Sequence, residues 1–219
     1  MPSIEIRTFV AAGFGENAYL CWRPDAHTAV AVDPGGEAEA MAELLERDGR
    51  KLEAILLTHA HLDHIEGVAR LVRRLGAPVY LHPDDRLLYD HVAQQAVQFG
   101  LRVEPQPPID HWLAPGQPLR LAGIDWEVRH SPGHSPGHVI LHIGEEHIAF
   151  VGDVVFQGSI GRSDLPGGNF QQLMRSIREQ VLTLAPETVL YPGHGRPTTV
   201  AHEGATNPFI IPHYGGGFA

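Results

Sequence analysis

The feature that most restricts this chain is a short apolar run, Leu52 to Leu57, followed without a linker by Thr58-His59-Ala60-His61-Leu62-Asp63-His64. A short, almost wholly apolar run reads as a strand buried on both faces, which requires a sheet covered on both sides. His59, His61, Asp63 and His64 are packed into six residues at the C-terminal end of that strand. Alternate residues of an extended segment point the same way, so His59 and His61 can converge on one metal ion. Asp63 and His64 fall where the chain turns into a helix that the spacing of Ile65, Val68, Leu71, Val72 and Leu75 predicts. A turn there can swing both toward a second ion. The bland alternative is a solvated polar turn, but so dense a cluster rarely arises without ligation. Imidazole and carboxylate suit zinc, and also iron or manganese.

Three further residues repeat the placement. His134 closes Ser131-Pro132-Gly133-His134, Asp153 closes Val151-Gly152-Asp153, and His194 closes Tyr191-Pro192-Gly193-His194. Each lies just past a predicted strand, and each follows a glycine that lets the backbone turn sharply. Open α/β architectures build sites at the carboxyl ends of strands. One such histidine would be ordinary; three such residues beside the cluster supply enough ligands for two metals.

The rest of the pattern sets the architecture. Strands are predicted at 4–10, 18–22, 28–32, 52–57, 79–81, 119–122, 124–130, 138–143, 147–151 and 188–191. Asp33-Pro34-Gly35-Gly36 launches a helix that Gly49 stops; further helices are predicted from Ile65 to Leu75, from Pro83 to Phe99, and at 170–184 after an Asn169 cap. Residues 101–118 read as an irregular connection, and the glycine-rich tail from Ile211 to Ala219 as loose or engaged in a contact. Strands with helices between and after them suggest two sheets face to face with helices outside, a four-layer αββα sandwich in one domain spanning 1–219. A doubly wound α/β sheet fits the pattern nearly as well.

Composition narrows the partners. With 16 Lys+Arg against 26 Asp+Glu, a formal net charge of -10 and no basic run, no nucleic-acid partner is expected. An anionic small-molecule substrate stays open, because bound divalent ions reverse the local field. No apolar stretch is long enough to span a bilayer, so no membrane association is expected. The N-terminus lacks the marks of a signal peptide, and Cys21 is the only cysteine, so the expected location is cytoplasmic. A monomer and a small homo-oligomer both fit. Among the 15 histidines, His82 reads as a surface or supporting residue and His130 and His138 as supporting or packing residues around His134. His27, His91, His111, His142, His147, His202 and His213 carry no ligand spacing, and Cys21 lies in a predicted strand with no partner to make it a nucleophile.

Thr58-His59-Ala60-His61-Leu62-Asp63-His64, with His134, Asp153 and His194 in that order, resembles the metallo-β-lactamase superfamily. Ser131-Pro132-Gly133-His134-Ser135-Pro136-Gly137-His138, the stretch Gly152 to Asn169 and Tyr191-Pro192-Gly193-His194-Gly195 are similar to its glyoxalase II branch, in particular its short, single-domain bacterial members. The resemblance implies the αββα sandwich and two divalent ions, zinc foremost. It implies that His59, His61 and His134 hold one ion, that Asp63, His64 and His194 hold the other, and that Asp153 bridges them. A water between two such ions is activated near neutral pH and attacks a carbonyl; Asp63 is placed to orient it and take its proton. The implied reaction is thioester hydrolysis, S-D-lactoylglutathione to D-lactate and glutathione. Arg162, in the loop after Asp153, is a candidate for holding a substrate carboxylate. Full-length glyoxalase II enzymes add a C-terminal helical domain; only 25 residues follow His194 here (219 minus 194), too few for it. A persulfide dioxygenase with one iron on His59, His134 and Asp153 shares the motif, and a lactone hydrolase is the other alternative.

Overall fold

The computed structural model describes residues 4–211. The glycine-rich tail beyond Ile211 and its expected looseness lie outside these residues. The chain opens with three strands, β1 (Glu5–Val10), β2 (Asn17–Trp22) and β3 (Thr28–Val32), then helix α1 (Ala38–Arg47) and strand β4 (Lys51–Leu56). Two helices, α2 (Leu62–Ile65) and α3 (Val68–Leu75), lead to β5 (Val79–Leu81). After a 3-10 turn at Pro83–Asp85 come α4 (Arg86–Asp90), α5 (Val92–Gln98) and β6 (His111–Trp112). The second half runs β7 (Leu119–Leu121), β8 (Ile124–His130), β9 (Val139–Ile143), β10 (Ile148–Gly152), the hairpin β11 (Val155–Phe156) and β12 (Ser159–Ile160), then α6 (Phe170–Ser176), β13 (Val189–Pro192), β14 (Thr198–Thr199) and α7 (Val200–Thr206).

Two six-stranded sheets form, in the orders β1-β2-β3-β4-β5-β6 and β14-β13-β10-β9-β8-β7. The period-2 alternation of the strands decides which layer each side chain joins. On β2, Ala18, Leu20 and Trp22 pack under α1, α3 and α5, while Tyr19 and Cys21 face the opposite sheet. On β10, Phe150 enters the inter-sheet core, and Ala149 and Val151 pack against α6. Three apolar layers therefore separate four structural layers, which is the αββα sandwich. Phe150, fully buried with ring contacts to Tyr19 at 5.1 Å and Tyr191 at 5.3 Å, sits at the middle of this core.

Several boundaries differ from the sequence reading. The helix expected over 83–99 is interrupted at His91, whose φ of -107° and ψ of 21° leave the helical region. The break lets Tyr89, Val92 and Ala96 all face the core while Gln95 turns to the loop around Ala60. The helix expected from Ile65 onward is likewise two, parted at Gly67, whose N–H donates to the Pro34 carbonyl at 3.0 Å outside the helix. Residues 101–118 are not wholly irregular: Tyr80 and Leu81 of β5 pair with His111 and Trp112. The helix at 170–184 is α-helical only to Ser176, continuing as a π-turn over Ile177–Val181. β11, β12, β14 and α7 add to the expected elements, being too short to carry a periodic signal.

Candidate metal centre

The sheets meet edge-on where their strands end. Asn17 N–H donates to the Gly193 carbonyl at 2.7 Å, and Val139 N–H to that of Thr58 at 2.8 Å, so backbone bonds stitch one sheet to the other at the site. The seven predicted ligands all lie at this seam. Donor atoms of His59, His61 and His134 fall within 4.8 Å of one another, and so do those of Asp63, His64 and His194. Asp153 lies between the groups: Oδ1 is 3.4 Å from His64 Nε2, and Oδ2 is 3.5 Å from His134 Nε2 and 3.7 Å from His194 Nε2. Gly193 makes the convergence sterically possible, since a β-carbon there would stand 2.2 Å from Asp153 Oδ1.

Hydrogen bonds fix which ring nitrogen His59, His64 and His134 present. Thr58 Oγ1 donates to Asp33 Oδ2 at 2.6 Å and therefore accepts from His59 Nδ1 at 3.0 Å. His64 Nδ1 donates to the same Asp33 oxygen at 3.1 Å, and His134 Nδ1 to the Arg162 carbonyl at 2.7 Å. Carboxylates or carbonyls on one nitrogen turn the other inward as the ligand atom. His59 Nε2, His64 Nε2 and Asp153 Oδ1 are buried without a hydrogen-bond partner. Leaving such atoms unpaired costs about 1–3 kcal/mol each. Cations between them would satisfy all three, so the residues present fit a pair of metal ions.

The electrostatics agree. Burial and its histidine neighbours push His59 well below the usual imidazole range, and burial with His134 takes His61 to about 3. His64 is pushed down by burial but carried well above that range by Asp63, Asp153 and Asp33; His194, opposed by burial, is raised by its bond to Asp63. Asp63 and Asp153 stay ionised despite burial because His64 and its neighbours outweigh it. The centre is a concentration of negative charge balanced by protons, which divalent cations would replace.

Three residues, Asp33, Thr58 and Asp85, support this centre though sequence reasoning misses them in part or whole. Asp33, buried, accepts from Thr58 N–H, Thr58 Oγ1 and His64 Nδ1; its place just past β3 is the same strand-end signal that marks Asp153. Its φ of 48° is unusual for a non-glycine residue. Thr58 is visible in the sequence only as part of the motif. His138 supports the site as expected: its Nε2 accepts from Asp153 N–H at 3.0 Å and its ring stacks on His59 at 4.8 Å. Asp85 gives no signal beyond opening a helix. His82 is buried and stacks on His130 at 4.2 Å, and His130 Nε2 donates to the Pro136 carbonyl. The Arg162 guanidinium is exposed and forked onto Asp164 at 2.8 Å and 2.9 Å. Cys21 is buried in β2, and burial pushes its thiol far up, as expected of a packing residue.

The comparisons with known proteins converge on this description. Residues 11–194 match the model of the metallo-beta-lactamase superfamily, and the chain belongs to that superfamily. It is 37% identical over 214 residues to hydroxyacylglutathione hydrolase GloC of Haemophilus influenzae, covering 94% of this chain and 98% of the relative. Among solved structures it is similar to BLEG-1 B3 metallo-beta-lactamase (37% identity, TM-score 0.89, 95% of this chain and 100% of that one). It is also similar to TTHA1623 in a di-iron-bound form (43% identity, TM-score 0.84, 93% of this chain and 99% of that one). The fold is thus that of a metal-dependent hydrolase family. Among the described residues no helix is long and apolar enough to cross a membrane.

Proposed function

We propose that this protein is a binuclear metallohydrolase acting on thioesters, with a glutathione thioester such as S-D-lactoylglutathione as the substrate. The observation that carries the reading is the pairing of two three-ligand groups around one shared carboxylate, Asp153. The likeness to a hydroxyacylglutathione hydrolase over nearly the whole chain supports the substrate class.

His59, His61 and His134 would hold one ion and Asp63, His64 and His194 the other, with Asp153 between. The donor set suits zinc, and iron or manganese equally fit imidazole and carboxylate. When bound, the two ions supply Lewis acidity that lowers the pKa of water and polarises a carbonyl. The protein's own part is to hold the geometry and handle the proton. Asp63, ionised and one-fifth exposed, has Oδ2 3.2 Å from His194 Nε2. Its carboxylate orients the attacking water and accepts the proton released as the carbon–oxygen bond forms. The carbon–sulfur bond then breaks and the proton passes to the departing thiolate, giving an acid and a thiol. Arg162 would take a substrate carboxylate in exchange for Asp164.

The test is metal quantification paired with a substrate panel of thioesters, lactones, a β-lactam (for the BLEG-1 likeness) and glutathione persulfide with oxygen uptake. Two ions per chain and preferential thioester cleavage are expected. One iron per chain with oxygen consumption and no thioesterase activity would overturn the proposal.

A further inference from the structure

One carboxylate outside the ligand set touches both loops that carry the first group of histidines. Asp85, on the 3-10 turn after β5, is fully buried. Its Oδ2 accepts from Ala60 N–H at 2.9 Å and from Ser135 Oγ at 2.8 Å, and its Oδ1 accepts from Gly137 N–H. Ala60 is the residue between His59 and His61, Ser135 follows His134, and Gly137 precedes His138. The contact is close: a β-carbon on Gly137 would lie 2.5 Å from Asp85 N and 2.9 Å from Oδ1. Asp85 makes no hydrogen bond to Asp63, His64 or His194 or to their backbone.

We infer that Asp85 is a positioning residue for one ion only, the one held by His59, His61 and His134. Two loops from opposite sheets must be kept in register for those three nitrogens to converge. A single carboxylate with three donors from both loops does that more rigidly than separate contacts. Two flanking bonds add to the hold, with Gln95 Nε2 donating to the Ala60 carbonyl and His130 Nε2 donating to that of Pro136. The other ion's ligands are held separately, His64 by Asp33. This inference rests on the two-ion reading above, but not on the substrate.

The experiment is stepwise Zn2+ titration of the chelator-stripped full chain against a chelating indicator. His61→Ala identifies which binding phase belongs to the first group. Asp85→Asn leaves one acceptor oxygen and sets an amide N–H against that of Gly137. It is expected to weaken that same phase by about 10–100-fold, the usual effect of losing a residue that orients ligands, with the other phase unchanged. Ser135→Ala, which removes one of the three bonds and leaves the carboxylate, is expected to weaken the same phase less, and it decides the matter if Asp85→Asn does not fold. Equal weakening of both phases, or of neither, would overturn the assignment. Two zinc sites without thioesterase activity would defeat the substrate proposal and leave this one standing.

Discussion

Replacing Thr58 with valine removes a hydroxyl while nearly conserving volume, and the structure shows what that hydroxyl holds. It donates to Asp33 Oδ2 at 2.6 Å and accepts from His59 Nδ1 at 3.0 Å, and all three residues are buried. In Thr58→Val the His59 Nδ1 proton has no acceptor, at a cost of roughly 1–3 kcal/mol. Asp33 Oδ2 loses the hydrogen bond it accepts from the Thr58 hydroxyl but keeps the one from His64 Nδ1. The combined loss is about 2–4 kcal/mol, partly offset by the apolar methyl. For a chain of this size each kcal/mol moves the melting temperature by about 2–4 °C, so chelator-treated Thr58→Val should melt roughly 5–10 °C lower. The ring of His59 is also freed to turn its Nε2 away, so zinc affinity should fall about 10–100-fold. Thermal melts in chelator and a zinc competition titration measure the two effects separately. Thr58→Ser restores the hydroxyl and should recover most of the affinity. A valine variant with unchanged melting and unchanged zinc binding would refute the claim that Asp33 and Thr58 orient His59.

Asp63→Asn should lower thioester turnover by on the order of 10²–10⁴-fold, the usual contribution of a general base, and near-native turnover would remove Asp63 from that role. Glu16 is fully buried with both carboxyl oxygens unpartnered, and burial raises it from 4.5 to about 9. In the metal-free protein its native form keeps a proton that the unfolded chain has lost, so stability falls as pH rises between 4.5 and about 9. Glu16→Gln should therefore be more stable than wild type in denaturant melts at about pH 8 in chelator, and an unchanged difference between about pH 4 and pH 8 would contradict this. Asp164→Asn frees the Arg162 guanidinium and should lower KM for an anionic thioester about threefold, within the worth of an exposed ion pair; no change would exclude Arg162 from substrate binding.

The candidate ligand residues are legible because they cluster at or soon after strand ends, which are marked in sequence by apolar runs breaking at glycine or histidine. His59 to His64, His134, Asp153 and His194 all show this mark. The layer order is less legible: alternation on β2 and β10 assigns side chains to faces, but not which sheet lies opposite, and the family resemblance resolves what the pattern leaves open. The supporting residues are hardest. Asp85 reaches Gly137 across 52 residues of chain, and Asp33 reaches Thr58 across 25, so no local spacing records either contact. Gln95 shows the same limit. Its position within α5 is an ordinary helical one, yet an interruption at His91 turns it onto the loop that carries His59 and His61.

The seam between the sheets has a consequence for how the protein is made. The first four candidate ligands lie before residue 65 and the last three after residue 133, on different sheets. Neither half of the chain holds a complete ligand group for the ion that His59, His61 and His134 would share, and the group of Asp63, His64 and His194 is equally divided. During synthesis the N-terminal sheet emerges first, carrying two of the three candidate ligands of each group. The group of His59 and His61 would then wait for His134 from the loop after β8, and the group of Asp63 and His64 for His194 after β13. Loading of both proposed ions would report that the two halves have come together, and ions so held would link the sheets across the seam.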